Sequence, residues 1–409
     1  MSVLIIGGGI SGLYTAYKLK KKYPEKDIKI LEKNDYLGGR IYTYHDRDFD
    51  IELGAGRFHT RCNYLIKLLK EFNLFEKKQK ISNDFKVLDV SNPGLLQDEK
   101  VNEYIKKVIT NVTETKESLQ KITFLDYAKR KIPKKEAEYI LDFFGYSSEI
   151  EEMNAYDSVK IIKSYFTNNV EYYILNGGLS QLVEKLVKAL EKLGVKILKN
   201  RKVTNISLKD NEKFEIQVED IKTPYKSDVC ICAVTKDFLA KQELFKSVHK
   251  YLRLIDGKPL CRVYSKYAKE DIWFKNYPKI TMNNKIRYII PINKEEGVIM
   301  SLYVDGKYAN YWNKIYEKDG IEGVNNKYNS LIKKSLLIDI EDPIKTIFKY
   351  WNIGVAIYKP GFDSTTMPKK IMHPDENIKL FACGENYSPN NTAWIEGALD
   401  TSEYILSKI

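Results

Sequence analysis

Gly7, Gly9 and Gly12 stand in the spacing G-x-G-x-x-G within SVLIIGGGISGLYTAY, and the chemistry of that spacing is the seating of phosphates. Gly7 permits a tight turn after a strand, Gly9 lets the backbone approach a pyrophosphate, and Gly12 lets helix and strand pack closely. Ile10, Ser11 and Gly12 open the helix, whose amino end offers free N–H groups and the positive end of its dipole. Glu32 follows at the end of the next strand, where a carboxylate accepts both ribose hydroxyls, with Lys33 beside it. In YLGGRIYTY, Gly38, Gly39 and Arg40 supply a second glycine turn and a guanidinium able to neutralise pyrophosphate. A third piece lies near the carboxyl end: Gly384 and Glu385 in FACGENYS, then Trp394 and Ile395 in TAWIEGA. Its backbone donors suit the ribityl chain and pyrimidine of an isoalloxazine, which nicotinamide cofactors lack. The three pieces together select FAD.

These residues need a scaffold, and the chain has the right elements. An apolar strand, a helix with Leu13, Ala16 and Tyr17 on one side, and the strand KDIKILEK make a β-α-β unit. From about Asn63 to Phe166, YLIKLLKEF, FLDYAKRK and KEAEYILDFF have helical periodicity and predict a mostly helical insertion. NGGLSQLVEKLVKALEKLGVKIL predicts a glycine turn, an amphipathic helix and a strand. VTNISL and FEIQVED predict a hairpin, and SDVCICAV a buried strand. Between Lys236 and Tyr350, PLCRVYSKY, KIRYIIPI and GVIMSLYV predict a second sheet with helices between its strands. IKLFACGENYS reads as a strand and turn, WIEGALDTSEYILSKI as a closing helix. The expected fold class is α/β: a Rossmann-type FAD-binding domain, glutathione-reductase-like, interleaved with an α+β substrate domain. The expected boundaries are 1–62, 170–238 and 348–409 for the FAD-binding domain, and 63–169 and 239–347 for the substrate domain.

Composition narrows the function classes. A chain of 409 residues, 43% hydrophobic and 30% charged, suits two intertwined globular domains. No apolar run approaches the roughly 20 residues of a membrane span. The net charge of +12 comes from lysines scattered along the chain, a solvated basic surface rather than a nucleic-acid site. Five cysteines have neither disulfide-framework nor metal-ligand spacing. The first apolar stretch is broken by the loop glycines and lacks a basic leader, so the expectation is a cytoplasmic protein without a signal peptide or a bound metal.

With these motifs in place, the chain resembles the FAD-dependent amine oxidase family of monoamine, polyamine and L-amino-acid oxidases. GGGISG, Glu32, GGR, NGGLSQL, ACGE and WIEGA carry the likeness at both ends and in the middle. The resemblance implies that Val203 touches adenine through its backbone, and that Trp394 is an aromatic wall facing the isoalloxazine. The opposite wall is implied within YWNIGVAIYKPG, at Ala356, Ile357 or Tyr358. That segment has no cysteine, so the implied flavin is non-covalent. LCRVYSKY resembles the strand bearing the family's active-site lysine, but here Arg262 takes the place. A guanidinium orders water or pairs with an acidic group, yet does not become a neutral base at physiological pH, which weighs against fast reaction with oxygen; a structural ion pair is the alternative.

ELGAGRFH resembles the stretch in which L-amino-acid oxidases clamp a substrate carboxylate, and the arginine falls at Arg57. Gly54, Ala55, Gly56 and Arg57 are also candidates for flavin contact, and His59 for the pocket wall. The resemblance implies hydride transfer from an amine to flavin N5, giving an imine and, with molecular oxygen as acceptor, hydrogen peroxide. A primary amine or polyamine is the leading expected substrate. An L-amino acid held by Arg57 is the second reading. A non-oxidative flavoenzyme resembling sugar-nucleotide mutases, or a structural flavin, is the third.

Overall fold

The computed structural model describes residues 1–166, 170–209 and 212–409. The expected boundary at 169/170 adjoins residues 167–169, which lie outside the described residues.

The first strand, Ser2–Ile6, is the centre of a five-stranded parallel sheet. Its neighbours are Asp27–Leu31 and then Lys196–Leu198 on one side, Val229–Cys232 and then Leu380–Ala382 on the other. Val3, Leu4, Ile5 and Ile6 are all buried, as they must be in a parallel sheet covered on both faces. The helices Ile10–Lys22, Ser180–Lys192 and Ile395–Leu406 pack together as one covering layer. A three-stranded antiparallel sheet, Val203–Leu208, Phe214–Val218 and Tyr225–Ser227, realises the expected hairpin and adds one strand. One parallel sheet thus draws on three distant stretches of chain, and it carries the glycine motifs at the carboxyl ends of its strands, where α/β sheets bind ligands.

A seven-stranded mixed sheet forms a second body around its own core of Ile289, Ile299, Leu302, Val304 and Trp312. Lys345–Tyr358 is at one edge, followed by Ile255–Lys266, Val298–Asp305, Tyr288–Asn293, Ile280–Met282, Lys86–Leu88 and Leu96–Asp98. The long helix Gly306–Leu336 packs on it, broken at Gly320, whose φ of 65° and ψ of −157° interrupt the helical geometry. The region after Asn63 is less uniformly helical than expected. Helices do fill residues 101–166, but Lys78–Ile81 pairs with Tyr172–Leu175, and Lys86–Leu88 joins Ile280–Met282 in parallel. Short segments such as KVL have no periodicity of their own to read; pairing with distant strands decides their state.

Candidate active site

The glycine loop has the shape its sequence requires. Gly7 has φ +106°, and a Cβ there would lie 2.3 Å from the Ala233 carbonyl oxygen; a Cβ on Gly12 would lie 2.1 Å from the oxygen of Gly7. Gly9 differs: a Cβ built on it meets nothing within 4 Å. Its absence of side chain therefore serves no packing need within the protein, and the space it faces is free for another molecule. The helix starting at Ile10 has no side-chain cap, so its first amides are donors for a ligand. Glu32 is buried and accepts hydrogen bonds from the Gly8 and Asn34 amides at 2.7 and 2.8 Å. Lys33 beside it is exposed. The Arg201 amide donates to the Glu32 carbonyl at 2.7 Å, which brings Val203, buried at the start of its strand, next to the ribose end of the loop.

The second and third motifs close on the first. The Gly38 amide donates to the Gly8 carbonyl at 2.8 Å, and Gly39, at φ +62°, has its Cβ direction 3.3 Å from the Gly9 Cα. Gly54 abuts the Arg40 carbonyl so closely that a Cβ would be 1.9 Å away, and the Ala55 amide bonds that carbonyl at 2.8 Å. Gly56 is similarly crowded by the Glu52 side chain. Arg40 itself pairs with Glu385 at 2.5 Å and donates to the Gly354 carbonyl at 3.1 Å. One cation–carboxylate pair therefore ties the amino-terminal turn to the carboxyl-terminal one. Glu385 also accepts from the Ala393 amide at 2.9 Å, setting the backbone just ahead of Trp394 and Ile395. Gly384, at φ +143°, has no atom closer than 3.8 Å to the point a Cβ would occupy, a second open glycine.

Beyond these turns lies a chamber of aromatic rings and cations. The Trp394 ring meets His59 edge-on at 4.7 Å and Tyr172 at 6.3 Å. Tyr172 also lines a surface pocket of about 520 Å³ with Lys80, Ser82, Asn83 and Glu171. Arg57 donates to the Tyr146 hydroxyl at 3.0 Å. Tyr146 packs against Tyr288 and Tyr303 at 5.4 and 5.3 Å between centroids. Arg262 lies 4.3 Å from the Tyr303 centroid and donates to the Glu52 carbonyl at 2.7 Å. Its buried Nε has no hydrogen-bond partner among the described residues.

Titration is displaced throughout this chamber. Burial, with Arg61 and Arg57 nearby, lowers His59 to about 4, leaving it neutral at physiological pH. Burial and the neighbouring Asp305 raise Glu149 to about 8. Burial and Arg57 lower Lys279 to about 7. Tyr146 beside it, with other tyrosines, holds Arg57 firmly protonated. Displaced groups gathered in one region make it the candidate functional site.

Tyr358 is the expected wall residue that the structure places elsewhere. Ala356, Ile357 and Tyr358 are all buried in the core, and Tyr358 stacks on Phe362 at 4.1 Å while its hydroxyl donates to the Ser388 carbonyl at 2.7 Å. The aromatic residue of that strand that reaches the Gly54 segment is Trp351, whose indole N–H donates to the Leu53 carbonyl at 2.7 Å. Trp394, Arg57 and Arg262 do converge from three segments. Sequence reading missed Tyr146, Tyr172, Tyr303, Glu149 and Lys279. Only Gly145 offered a signal: at φ +95° its Cβ would overlap the Tyr288 ring at 2.1 Å, so a glycine before Tyr146 marks a tight approach.

Comparison with known proteins defines the class. The model of the flavin containing amine oxidoreductases matches residues 10–403, and the chain belongs to that family. It is thus an FAD-dependent oxidoreductase, in agreement with the open glycines and the capless helix above. It is 23% identical to polyamine oxidase 4 of Oryza sativa subsp. japonica, over 97% of this chain and 86% of that protein. An L-amino-acid oxidase of Crotalus adamanteus is also 23% identical, over 97% and 84%. In fold, the chain resembles a solved structure from Exiguobacterium sp. 255-15 assigned as a protoporphyrinogen oxidase, with a TM-score of 0.76, 17% identity, and coverage of 100% and 98%. Among the described residues no helix is long and apolar enough to cross a membrane, and no cluster of His, Cys, Asp and Glu could hold a metal.

Proposed function

We propose that this enzyme oxidises a small amine that bears a carboxylate, and that Arg57 receives that carboxylate. The observation that carries the reading is the environment of Arg57: a protonated guanidinium deep among Tyr146, Tyr172, Tyr288 and Tyr303 whose one hydrogen bond, among the described residues, goes to a phenol. A half-buried cation without a carboxylate partner is costly, and a ligand carboxylate would supply the missing partner with two charge-assisted hydrogen bonds. A polyamine, carrying several positive charges, would meet Arg57, Arg262 and Lys279 together. Glu149 and the likeness to a polyamine oxidase support the amine without a carboxylate as the second reading.

FAD, when bound, would supply the two-electron chemistry that takes hydride from the amine carbon. Gly7, Gly9, Gly12 and the amides of Ile10 and Ser11 would hold its pyrophosphate, Glu32 its ribose, and the turn at Gly384 its ring end. A non-covalent attachment is part of this reading, supported by five buried cysteines, none of which lies on the strand Lys345–Tyr358. Free thiols also suit a reducing compartment. The chain's own contribution is to orient and desolvate. Trp394, His59 and Tyr172 form an apolar wall, and neutral His59 adds no charge that would repel an amine. Low polarity favours the unprotonated amine, the form that can be oxidised. The interleaved division at 62, 169, 238 and 347 is part of this reading, with the chamber between the two sheets.

The test is the visible spectrum of the purified protein, followed anaerobically as L-amino acids, monoamines and polyamines are added in turn. Bleaching by amino acids alone supports the reading. Bleaching by polyamines alone transfers it to the second, and a flavin spectrum that no amine bleaches overturns both.

A further inference from the structure

Lys279 immediately precedes the strand Ile280–Met282, and its carbonyl accepts the Lys86 amide at 2.9 Å. The ammonium is carried inward, 5.1 Å from the Tyr288 centroid and 5.5 Å from that of Phe85. Tyr288 packs on Tyr146, and Tyr146 accepts the hydrogen bond of Arg57. Lys279 and Arg57 are thus two cations joined by one pair of packed phenols. Neither has an ion-pair partner among the described residues. The charged groups that bear on Lys279 are Arg57 and Asp84, the latter exposed; Tyr288 faces it as a neutral phenol, raised by burial, and Glu149 bears on Tyr288 and Arg57.

We propose that Lys279 is a second anion anchor and that the amine oxidised here carries two acidic groups, one for Arg57 and one for Lys279. This rests on the reading of Arg57 given above and extends it to the substrate's second charge. Two unpaired cations in one chamber repel each other and lose hydration. The arrangement is tolerable empty because burial beside Phe85 and Tyr288, with Arg57 near, lowers the lysine to about 7 and lets it discharge. An incoming dianion reverses both penalties, and its second acidic group draws a proton onto Lys279. A substrate with one carboxylate satisfies Arg57 and gives Lys279 no direct partner. Arginine at 57 and lysine at 279 divide the work accordingly: a permanently charged fork for the obligatory group, and a titratable point charge for the discriminating one.

The experiment uses the flavin-loaded protein and two inert probes, propionate with one carboxylate and glutarate with two. Binding is read from the perturbation of the flavin absorption band and from calorimetry in buffers of different ionisation heat. Glutarate is expected to bind roughly 10- to 100-fold more tightly than propionate, the gain of one charge-assisted contact. It is also expected to take up about half a proton at pH 7, since a group titrating near 7 is half charged before binding. Lys279→Met should bring glutarate down to the affinity of propionate and abolish the uptake, leaving propionate unchanged. Lys279→Arg should keep the preference while losing the uptake, because arginine is already charged. If propionate binds and glutarate binds no better, or if Lys279→Met retains both preference and uptake, this proposal is overturned while the Arg57 reading stands. If neither probe binds, both fall.

Discussion

Gly9→Ala separates the needs of the fold from those of the cofactor. Gly9 has φ −73° and ψ 175°, a conformation open to alanine, and its new methyl would touch no protein atom within 4 Å. Alanine is a poorer N-cap than glycine, so the cost to the fold is about 0.5 kcal/mol, less than about 1 °C in a protein of this size. Gly12→Ala places its methyl 2.1 Å from the oxygen of Gly7, and Gly7→Ala imposes a φ of +106° as well as a 2.3 Å contact. Backbone overlaps of that depth cost about 3 kcal/mol or more. If FAD's pyrophosphate passes over Gly9, the same methyl that the apoprotein tolerates intrudes on the phosphate, and affinity falls by about 3 kcal/mol, roughly 100-fold. The assay is thermal unfolding of flavin-stripped protein beside flavin reconstitution followed at the visible band. Gly9→Ala should melt like the parent and fail to retain flavin, whereas Gly12→Ala should melt far lower. A Gly9→Ala protein that holds FAD normally would refute the placement of the pyrophosphate. One that unfolds as readily as Gly12→Ala would refute the claim that Gly9 faces open space.

Two further outcomes follow from the chamber. Arg57→Met keeps an apolar stem but removes the fork; loss of two charge-assisted hydrogen bonds, about 3 kcal/mol or more, should lower kcat/KM for anaerobic flavin reduction by roughly 100-fold or more for carboxylate-bearing amines and hardly at all for simple amines, and an equal loss for both would count against the clamp. Glu149→Gln should stabilise the protein. The folded state holds this carboxyl near 8 against an ordinary value of 4.5, so between those values the native protein binds more protons than the unfolded chain and wild-type stability falls as pH rises. The advantage of the glutamine variant in thermal melts should be small near pH 5, grow to pH 8 and level off at about 2–4 kcal/mol, partial access to water being allowed for; a constant advantage across that range would place the ionised carboxylate in a hydrated or ion-paired setting.

What could be read from the sequence follows from what is local. The glycine spacing, Glu32 and the strand-helix order are short-range, and the backbone at Gly7, Gly9 and Gly12 has the geometry their spacing implies. The wall residue was harder because a strand fixes its side-chain directions only once its register is set. Lys345–Tyr358 pairs with Ile255–Lys266 through an irregularity near Lys258 and Leu260, and Tyr358 ends in the core while Trp351 turns to the Gly54 segment. The chamber was hardest, since Arg57, Tyr146, Tyr288 and Tyr303 come from segments that only the tertiary structure assembles.

The distribution of buried acids bears on why Arg57 and Lys279 have no carboxylate partner among the described residues. Glu396 accepts the Tyr64 and Leu65 amides at the start of one helix, Glu52 the Leu179 amide ahead of another, and Asp305 the Ser147 and Ser148 amides of a third. Glu32 and Glu385 hold the glycine loop and the turn before Trp394 in the same way. Each carboxylate thus fastens one chain segment to another through backbone donors, an interaction stronger than that between neutral groups. The last of these anchors, Asp305, fixes the turn bearing Tyr146 and Glu149, and through Tyr146 it fixes Arg57. Buried acids here make the frame, and Arg57 and Lys279 stand outside it with no carboxylate partner among the described residues.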